Sequence, residues 1–131
     1  DAVAFEINHI HLKAPDPRRT AEWYVEAFGF EIVSDTVRSV GDRRLNCMSP
    51  GGLVVNISSE RDGETMADGD AGSHWGLEHF GVNSDDLLAD IERLGALGAP
   101  VLEGPIDIPG GNLVAFVQGP DDVRIEVVQN R

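Results

Sequence analysis

The chain has few basic residues, one cysteine and no long hydrophobic run, and each shortage excludes a class of protein. Ten Lys and Arg residues stand against 23 Asp and Glu residues, giving a net charge of −13. This balance repels nucleic acid and anionic membrane surfaces, so neither is expected as a partner. The lone thiol of Cys47 cannot form an internal disulfide, and it fits the reducing cytoplasm, which is the expected location. No apolar stretch approaches the length of a membrane-spanning helix.

The length and the hydrophobic content of the chain are ordinary for a globular protein. At 131 residues and 41% hydrophobic content, the chain is long enough for one domain, expected over residues 1–131, or for two fused half-domains that share a core. An anionic small molecule stays possible as a ligand, because a local cation or metal reverses the field inside a pocket.

An internal repeat is the most informative pattern in the chain. A shift of 70 positions, without a gap, places His9 on His79 and Asn56 on Glu126. Such self-similarity indicates one supersecondary unit used twice. Two copies that face each other would bring His9, His79 and Glu126 together at a shared seam.

Each copy has the pattern of a strand, a helix and three further strands. The expected bounds are about residues 5–58 for the first module, 59–76 for a polar linker and 77–129 for the second module. The strands are expected over residues 5–13, 30–40, 43–48, 53–58, 78–83, 100–103, 113–118 and 123–129. Asp16-Pro17 and Gly29 delimit the first helix, whose predicted apolar face is Ala21, Tyr24, Val25 and Phe28. The predicted class is therefore α+β, with two βαβββ modules forming a cleft or partly closed barrel around a metal site.

Alternation along the first strand suggests where its histidines lie. Ile10 and Leu12 share the face that the helix covers, so His9 and His11 lie on the other face. On its own, His9 is better explained as a half-buried histidine that is hydrogen-bonded to the backbone. Glu126 lies in a mostly apolar strand, where a carboxylate that faces a cleft needs a cation to offset its desolvation, and the alternative is a solvent-facing strand residue. The coincidence of both with His79 in the repeat favours a metal site instead.

Three motifs, taken in order, resemble the vicinal oxygen chelate superfamily, which includes glyoxalase I, methylmalonyl-CoA epimerase, fosfomycin-resistance transferases, extradiol dioxygenases and bleomycin-resistance proteins. They are His9-Ile10-His11-Leu12 before a helix ending at Phe28-Gly29-Phe30, then residues 78–82 (Glu-His-Phe-Gly-Val) and residues 119–126 (Gly-Pro-Asp-Asp-Val-Arg-Ile-Glu). The resemblance implies a divalent metal between paired modules, held by His9, His79 and Glu126. Asn56 falls where glyoxalase I has a glutamate and the epimerases a glutamine, so it is expected to add a weak oxygen ligand or to hold a metal-bound water.

Departures from the family pattern narrow the chemistry. Extradiol dioxygenases carry a catalytic tyrosine where this chain has Phe116, and a catalytic histidine where it has residues 107–110, Asp-Ile-Pro-Gly. Both absences count against ring cleavage. The relatives' Asp-Pro-Asp-Gly-Asn turn is replaced at residues 119–123, a change of turn chemistry alone.

Further residues are candidates for the substrate pocket. His11 shares the face of His9, and it is expected either to contact substrate and relay a proton or to orient a neighbouring residue. Lys13 is either a rim charge or an anion clamp. Asn46 aligns with Phe116 in the repeat, so both are expected beside Asn56 in the pocket.

The resulting hypothesis is a metal-dependent enzyme of the glyoxalase or epimerase type, an isomerase, epimerase or lyase. Its substrate would chelate Ni, Co, Zn, Mn or Fe through neighbouring oxygens and react through an enolate-like intermediate, with Glu126 or His11 as the base. Two alternatives remain open: iron-dependent dioxygenase-like or resistance-type transferase chemistry, and a metal-free protein that sequesters a small molecule. The resemblance also leads us to expect a homodimer.

Overall fold

A computed structural model describes residues 3–131, which form the same succession of elements twice. The first module contains β1 (His9–Lys13), α1 (Pro17–Phe28), β2 (Glu31–Val37), β3 (Arg43–Met48) and β4 (Val54–Ser58). The second contains β5 (Phe80–Asn83), α2 (Leu87–Ala96), β6 (Val101–Asp107), β7 (Leu113–Gly119) and β8 (Val123–Gln129), with a 3-10 turn (Pro120–Asp122) before β8. The predicted α+β fold of two βαβββ modules is confirmed. The chain divides into two compact units, Asp1–Met66 and Ala67–Arg131.

Each module contains a four-stranded sheet with one topology. The strand orders are β1-β4-β3-β2 and β5-β8-β7-β6. The first strand of each module is parallel to the fourth, and the remaining pairs are antiparallel. The helix connects the first strand of each module to the second, which lies at the opposite edge of the sheet. Asn56 on β4 and Glu126 on β8 therefore occupy the same place in their sheets, each flanked by the first and third strands.

One face of each sheet is covered by the helix of its own module. Ala21, Tyr24 and Ala27 of α1 are buried with four β3 and β4 residues, Leu45, Cys47, Val55 and Ile57. Leu87 and Leu94 of α2 are buried with Ala115, Val117, Ile125 and Val127. Because successive side chains of a strand point to opposite faces, the intervening polar residues lie on the face opposite the helix.

The signals that begin and end the first helix act as the sequence predicts. The Asp16 side chain accepts a hydrogen bond from the Arg19 amide at 3.2 Å, with Pro17 in the first turn. Gly29 follows the last turn with φ 72°, a left-handed conformation that favours glycine. Asp86 caps α2 in the same way through the Ala89 amide.

Several predicted boundaries are wrong. The first strand begins at His9 instead of Phe5, because within this segment only residues His9 to Lys13 pair with β4. Phe5 and Ile7 lie before the sheet and are 91% and 83% exposed. The predicted helix face includes Val25, which is exposed, whereas Ala27 is buried in its place.

The second module differs from its prediction as well. β5 begins at Phe80, two residues later than expected, and β6 continues to Asp107, four residues beyond the predicted end. Among the described residues, no helix is long and apolar enough to cross a membrane.

Candidate metal and substrate site

The second module pairs an imidazole with a carboxylate. His79 immediately precedes β5, and its Nε2 lies 3.6 Å from Oε1 of Glu126 on β8. Gly81 lies opposite Glu126 across the parallel pair, and a Cβ on Gly81 would come within 3.7 Å of the same oxygen. Gly81 adds no side chain beside this carboxylate, and the Glu126 side chain is 26% exposed.

Two further contacts fix the orientation of the His79 ring. Its Nδ1 lies 3.1 Å from Oε1 of Glu78, and its ring is nearly perpendicular to that of Phe116, with the ring centroids 5.1 Å apart. A carboxylate that accepts the Nδ1 proton leaves the lone pair of a neutral imidazole on Nε2, the nitrogen turned toward Glu126.

Arg124 ties these orienting groups together, and sequence reasoning missed it. Its guanidinium lies 4.2 Å from the centroid of the Phe116 ring, donates to Glu103 Oε2 at 2.8 Å and donates to the Ala71 carbonyl at 3.0 Å. The Nε atom has no hydrogen-bond partner and lies 3.6 Å from Oε1 of Glu78. The side chain is only 8% exposed, so its attraction to Glu78 acts in a region of reduced dielectric.

The first module repeats this arrangement with amides in place of carboxylates. His9 Nδ1 lies 2.5 Å from Oδ1 of Asn8, the residue that the 70-residue shift places on Glu78. Asn56, which replaces Glu126, is buried on β4. The second module therefore presents a pair of carboxylates where the first presents two neutral groups.

His11 lies directly opposite Asn56, at the position that Gly81 occupies in the second module. Its Nε2 is 2.7 Å from the Ser58 hydroxyl oxygen. Partial burial, and then the nearby Arg44 and Lys13, lower the pKa of His11 below its ordinary value, so the ring is neutral near pH 7.

Lys13 is engaged within its own module. Its ammonium donates to Glu64 Oε1 at 2.6 Å and to the Ser59 carbonyl at 3.2 Å. This contact, together with hydrogen bonds from Arg61, lowers the pKa of Glu64 to about 2. The lysine thus tethers the segment after β4 to β1.

Asn46 lies opposite Asn56 on the antiparallel neighbour, as Phe116 lies opposite Glu126. Its amide donates to the Ser34 hydroxyl at 2.7 Å and accepts a hydrogen bond from Arg44 Nε at 3.2 Å. Each module therefore places its own candidate residues side by side on the face opposite its helix.

Two of the three predicted metal ligands, His79 and Glu126, lie close together. Over residues 3–131, no group of three His, Cys, Asp or Glu side chains is arranged to hold a metal ion. The His79–Glu126 pair supplies two donors of the predicted set, and Glu78, Arg124 and Ser58 surround the candidates without having been predicted. The 70-residue shift could have revealed Glu78, since it places Asn8 on that residue.

Comparison with known proteins establishes the family. Residues 6–127 match the Glyoxalase/Bleomycin resistance protein/Dioxygenase superfamily, so the chain belongs to it, as the sequence motifs predict. A probable lactoylglutathione lyase of Vibrio cholerae is 26% identical over 95% of this chain and 91% of its own length.

Two solved structures share the fold. A glyoxalase family protein from Bacillus cereus superposes with a TM-score of 0.84 at 13% identity, covering 98% of this chain and 96% of its own. The fosfomycin resistance protein FosX from Listeria monocytogenes gives a TM-score of 0.76 at 15% identity, with 98% and 96% coverage.

Proposed function

We propose that the chain is a divalent-metal-dependent lyase or isomerase that moves a proton between neighbouring carbons of a small, oxygen-rich substrate. The observation that carries this proposal is the distance of 3.6 Å between His79 Nε2 and Glu126 Oε1, next to Gly81, which has no side chain. Similarity to proteins named lactoylglutathione lyase supports the lyase class.

The donor chemistry of the pair fits a divalent ion. An imidazole nitrogen and a carboxylate oxygen suit Ni, Co, Zn, Mn or Fe, and the Glu78 contact is the kind that orients a metal-binding histidine. His79 and Glu126 would hold the ion, with His9 as a third ligand whose Nδ1 is occupied by Asn8. When bound, the ion would supply Lewis-acid stabilisation of negative charge on substrate oxygens.

The chain's own residues would bind the substrate and move the proton. Glu126 is the first candidate for the base, and neutral His11 is the second. Asn46, Asn56, Phe116 and Lys13 would line the substrate pocket. Gly81 leaves room for the substrate at the Glu126 carboxylate.

Turnover tests the assignment of the base. The reaction to measure is the formation of lactoylglutathione from methylglyoxal and glutathione, the reverse of the cleavage that the relatives' name describes. We expect Glu126→Gln to abolish turnover and His11→Ala only to impair it, because the amide keeps the shape but cannot accept the proton. Full activity in Glu126→Gln would remove Glu126 from this role.

Metal content tests the site itself. Protein purified without chelators should contain about one divalent ion per chain, and His9→Ala, His79→Ala and Glu126→Ala should lose it. Glu92→Ala removes an exposed carboxylate on α2 and should retain the ion. A protein that takes up no added metal would contradict the proposal and favour a metal-free binding protein.

A further inference from the structure

Arg44 stands apart from the other basic residues of this acidic chain. Eight of the ten Lys and Arg residues form an ion pair with a described carboxylate, namely Lys13, Arg18, Arg38, Arg43, Arg61, Arg93, Arg124 and Arg131. Within residues 3–131, Arg19 and Arg44 have no such partner. Arg19 is exposed on α1, whereas Arg44 is half-buried on β3. A half-buried cation without a counter-ion loses hydration without the compensation of a nearby negative charge.

A chain of hydrogen bonds holds Nε of Arg44 and leaves the terminal edge of its guanidinium available to a ligand. The Ser34 hydroxyl accepts from the Asn46 amide, and the Asn46 carbonyl oxygen accepts from Arg44 Nε. The terminal nitrogens of Arg44 have no partner among the described residues. Their paired N–H groups are the fork that matches a carboxylate or a phosphate group.

The surroundings of Arg44 favour an anion. Strands β1, β3 and β4 contain no Asp or Glu, although the chain has 23 such residues. Ser58 lies opposite Arg44 on β4, and its hydroxyl contacts His11. Lys13 and Arg38 are also near His11, but Glu64 and Asp42 already pair with them.

We propose that Arg44 binds the oxyanion group, carboxylate or phosphate, of a small molecule on the first-module sheet face opposite α1. Ser58, Asn46 and His11 are the polar groups beside that anion. The molecule's identity as the substrate rests on the proposed function, whereas anion binding by Arg44 does not depend on it.

Anion titration of the full chain tests this binding directly. Metal is first removed with a chelator and dialysed away, so that the anion cannot report on a metal site. Inorganic phosphate and acetate are then added separately at constant ionic strength, and the Nε–Hε resonance of Arg44 and the backbone amides of Asn46 and Ser58 are followed by NMR. We expect a saturable shift at these positions with at least one of the two anions, and the anion that binds more tightly identifies the oxyanion class.

Variants separate this site from general charge effects. Arg44→Gln should weaken binding at least about tenfold, since a charge-assisted bidentate contact is lost. The anion affinity of Arg44→Lys should lie between those of Arg44→Gln and the wild type, because lysine retains the positive charge but lacks the paired N–H groups of the guanidinium. Arg19→Gln, the matched loss of an unpaired but exposed arginine in the same module, should bind as the wild type does.

Two results would overturn the proposal. One is the absence of a saturable shift in the wild type, and the other is equal affinity in Arg44→Gln and Arg19→Gln. If Arg44→Gln does not fold, Asn46→Ala replaces it, because freeing the guanidinium should also weaken binding. If the wild-type protein takes up metal but does not bind the anion, only this inference is refuted. If it binds the anion but takes up no metal, only the proposed function is refuted.

Discussion

Arg124 is the residue through which the second module holds His79 in place. Its buried guanidinium contacts Phe116 and attracts Glu78, and both of these groups contact His79. We therefore expect Arg124→Gln to lower the affinity for divalent metal by about 10- to 100-fold, the usual cost of losing an outer partner of a ligand. It should also destabilise the fold by about 1–3 kcal/mol, because the buried side chain loses its contact with the Phe116 ring and its charged hydrogen bonds to Glu103 and the Ala71 carbonyl. Calorimetric metal titration and urea unfolding measure the two effects.

Arg131→Gln is the matched control for Arg124. Arg131 is half-exposed, and its side chain contacts Asp107 and the Gly111 carbonyl instead of Glu78 or Phe116, so its loss should leave metal affinity unchanged. Wild-type metal affinity in Arg124→Gln would show that Glu78 and Phe116 orient His79 without the arginine. A loss of stability alone does not support the positioning role.

The sequence supports predictions for His9, His79 and Glu126 because the repeat places His9 on His79 and places Glu126 at the position of another polar residue, Asn56. Glu78 and Arg124 escape that reasoning, since their roles arise from contacts that only folded strands create. Arg44 illustrates the same difficulty. Its lack of a carboxylate partner depends on where 23 acidic side chains lie, and no sequence pattern contains that information.

At the scale of elements, local signals predict helices better than strand ends. Asp16 and Gly29 define the ends of α1 through their own side-chain and backbone chemistry. The alternating residues Phe5 and Ile7 have the pattern of a strand, but the partner β4 ends its pairing at Val54, opposite His9. A strand end depends on a distant neighbour, so alternation alone predicts it too early.

The packing of α2 against its sheet predicts how substitutions on this helix change the free energy of unfolding. Leu94 is 1% exposed against the second sheet, whereas Leu88 on the same helix is 59% exposed. Leu94→Ala should therefore lower the free energy of unfolding by about 2–5 kcal/mol, because it removes buried methyl groups and leaves a cavity. Leu88→Ala should change it by no more than about 0.5 kcal/mol. Equal losses in the two variants, measured by denaturant unfolding, would contradict the packing of α2.

At the scale of the molecule, the two modules share a fold but differ in charge. The unit Asp1–Met66 has 7 basic and 11 acidic residues, a net charge of −4, and Ala67–Arg131 has 3 and 12, a net charge of −9. The more acidic unit contains the carboxylate version of the paired site, and the less acidic unit contains Arg44. This difference in charge agrees with the two proposals, in which the second module supplies most of the cation's ligands and Arg44 of the first module binds an anion.

The overall charge predicts how salt affects stability. With a net charge of −13, like charges repel within the folded chain, and raising ionic strength from about 0.01 to 0.15 M shortens the Debye length from about 30 to 8 Å. We expect the Tm at pH 7 to rise by a few degrees in sodium chloride, because repulsion is screened more than the short ion pairs are weakened. Near pH 4.4, the sequence pI, the net repulsion vanishes and the rise should disappear. Calorimetric scans at both pH values measure the change in Tm with salt. A Tm that falls with salt at pH 7 would show that attractive ion pairs, such as those of Lys13 and Arg124, outweigh the repulsion due to the net charge.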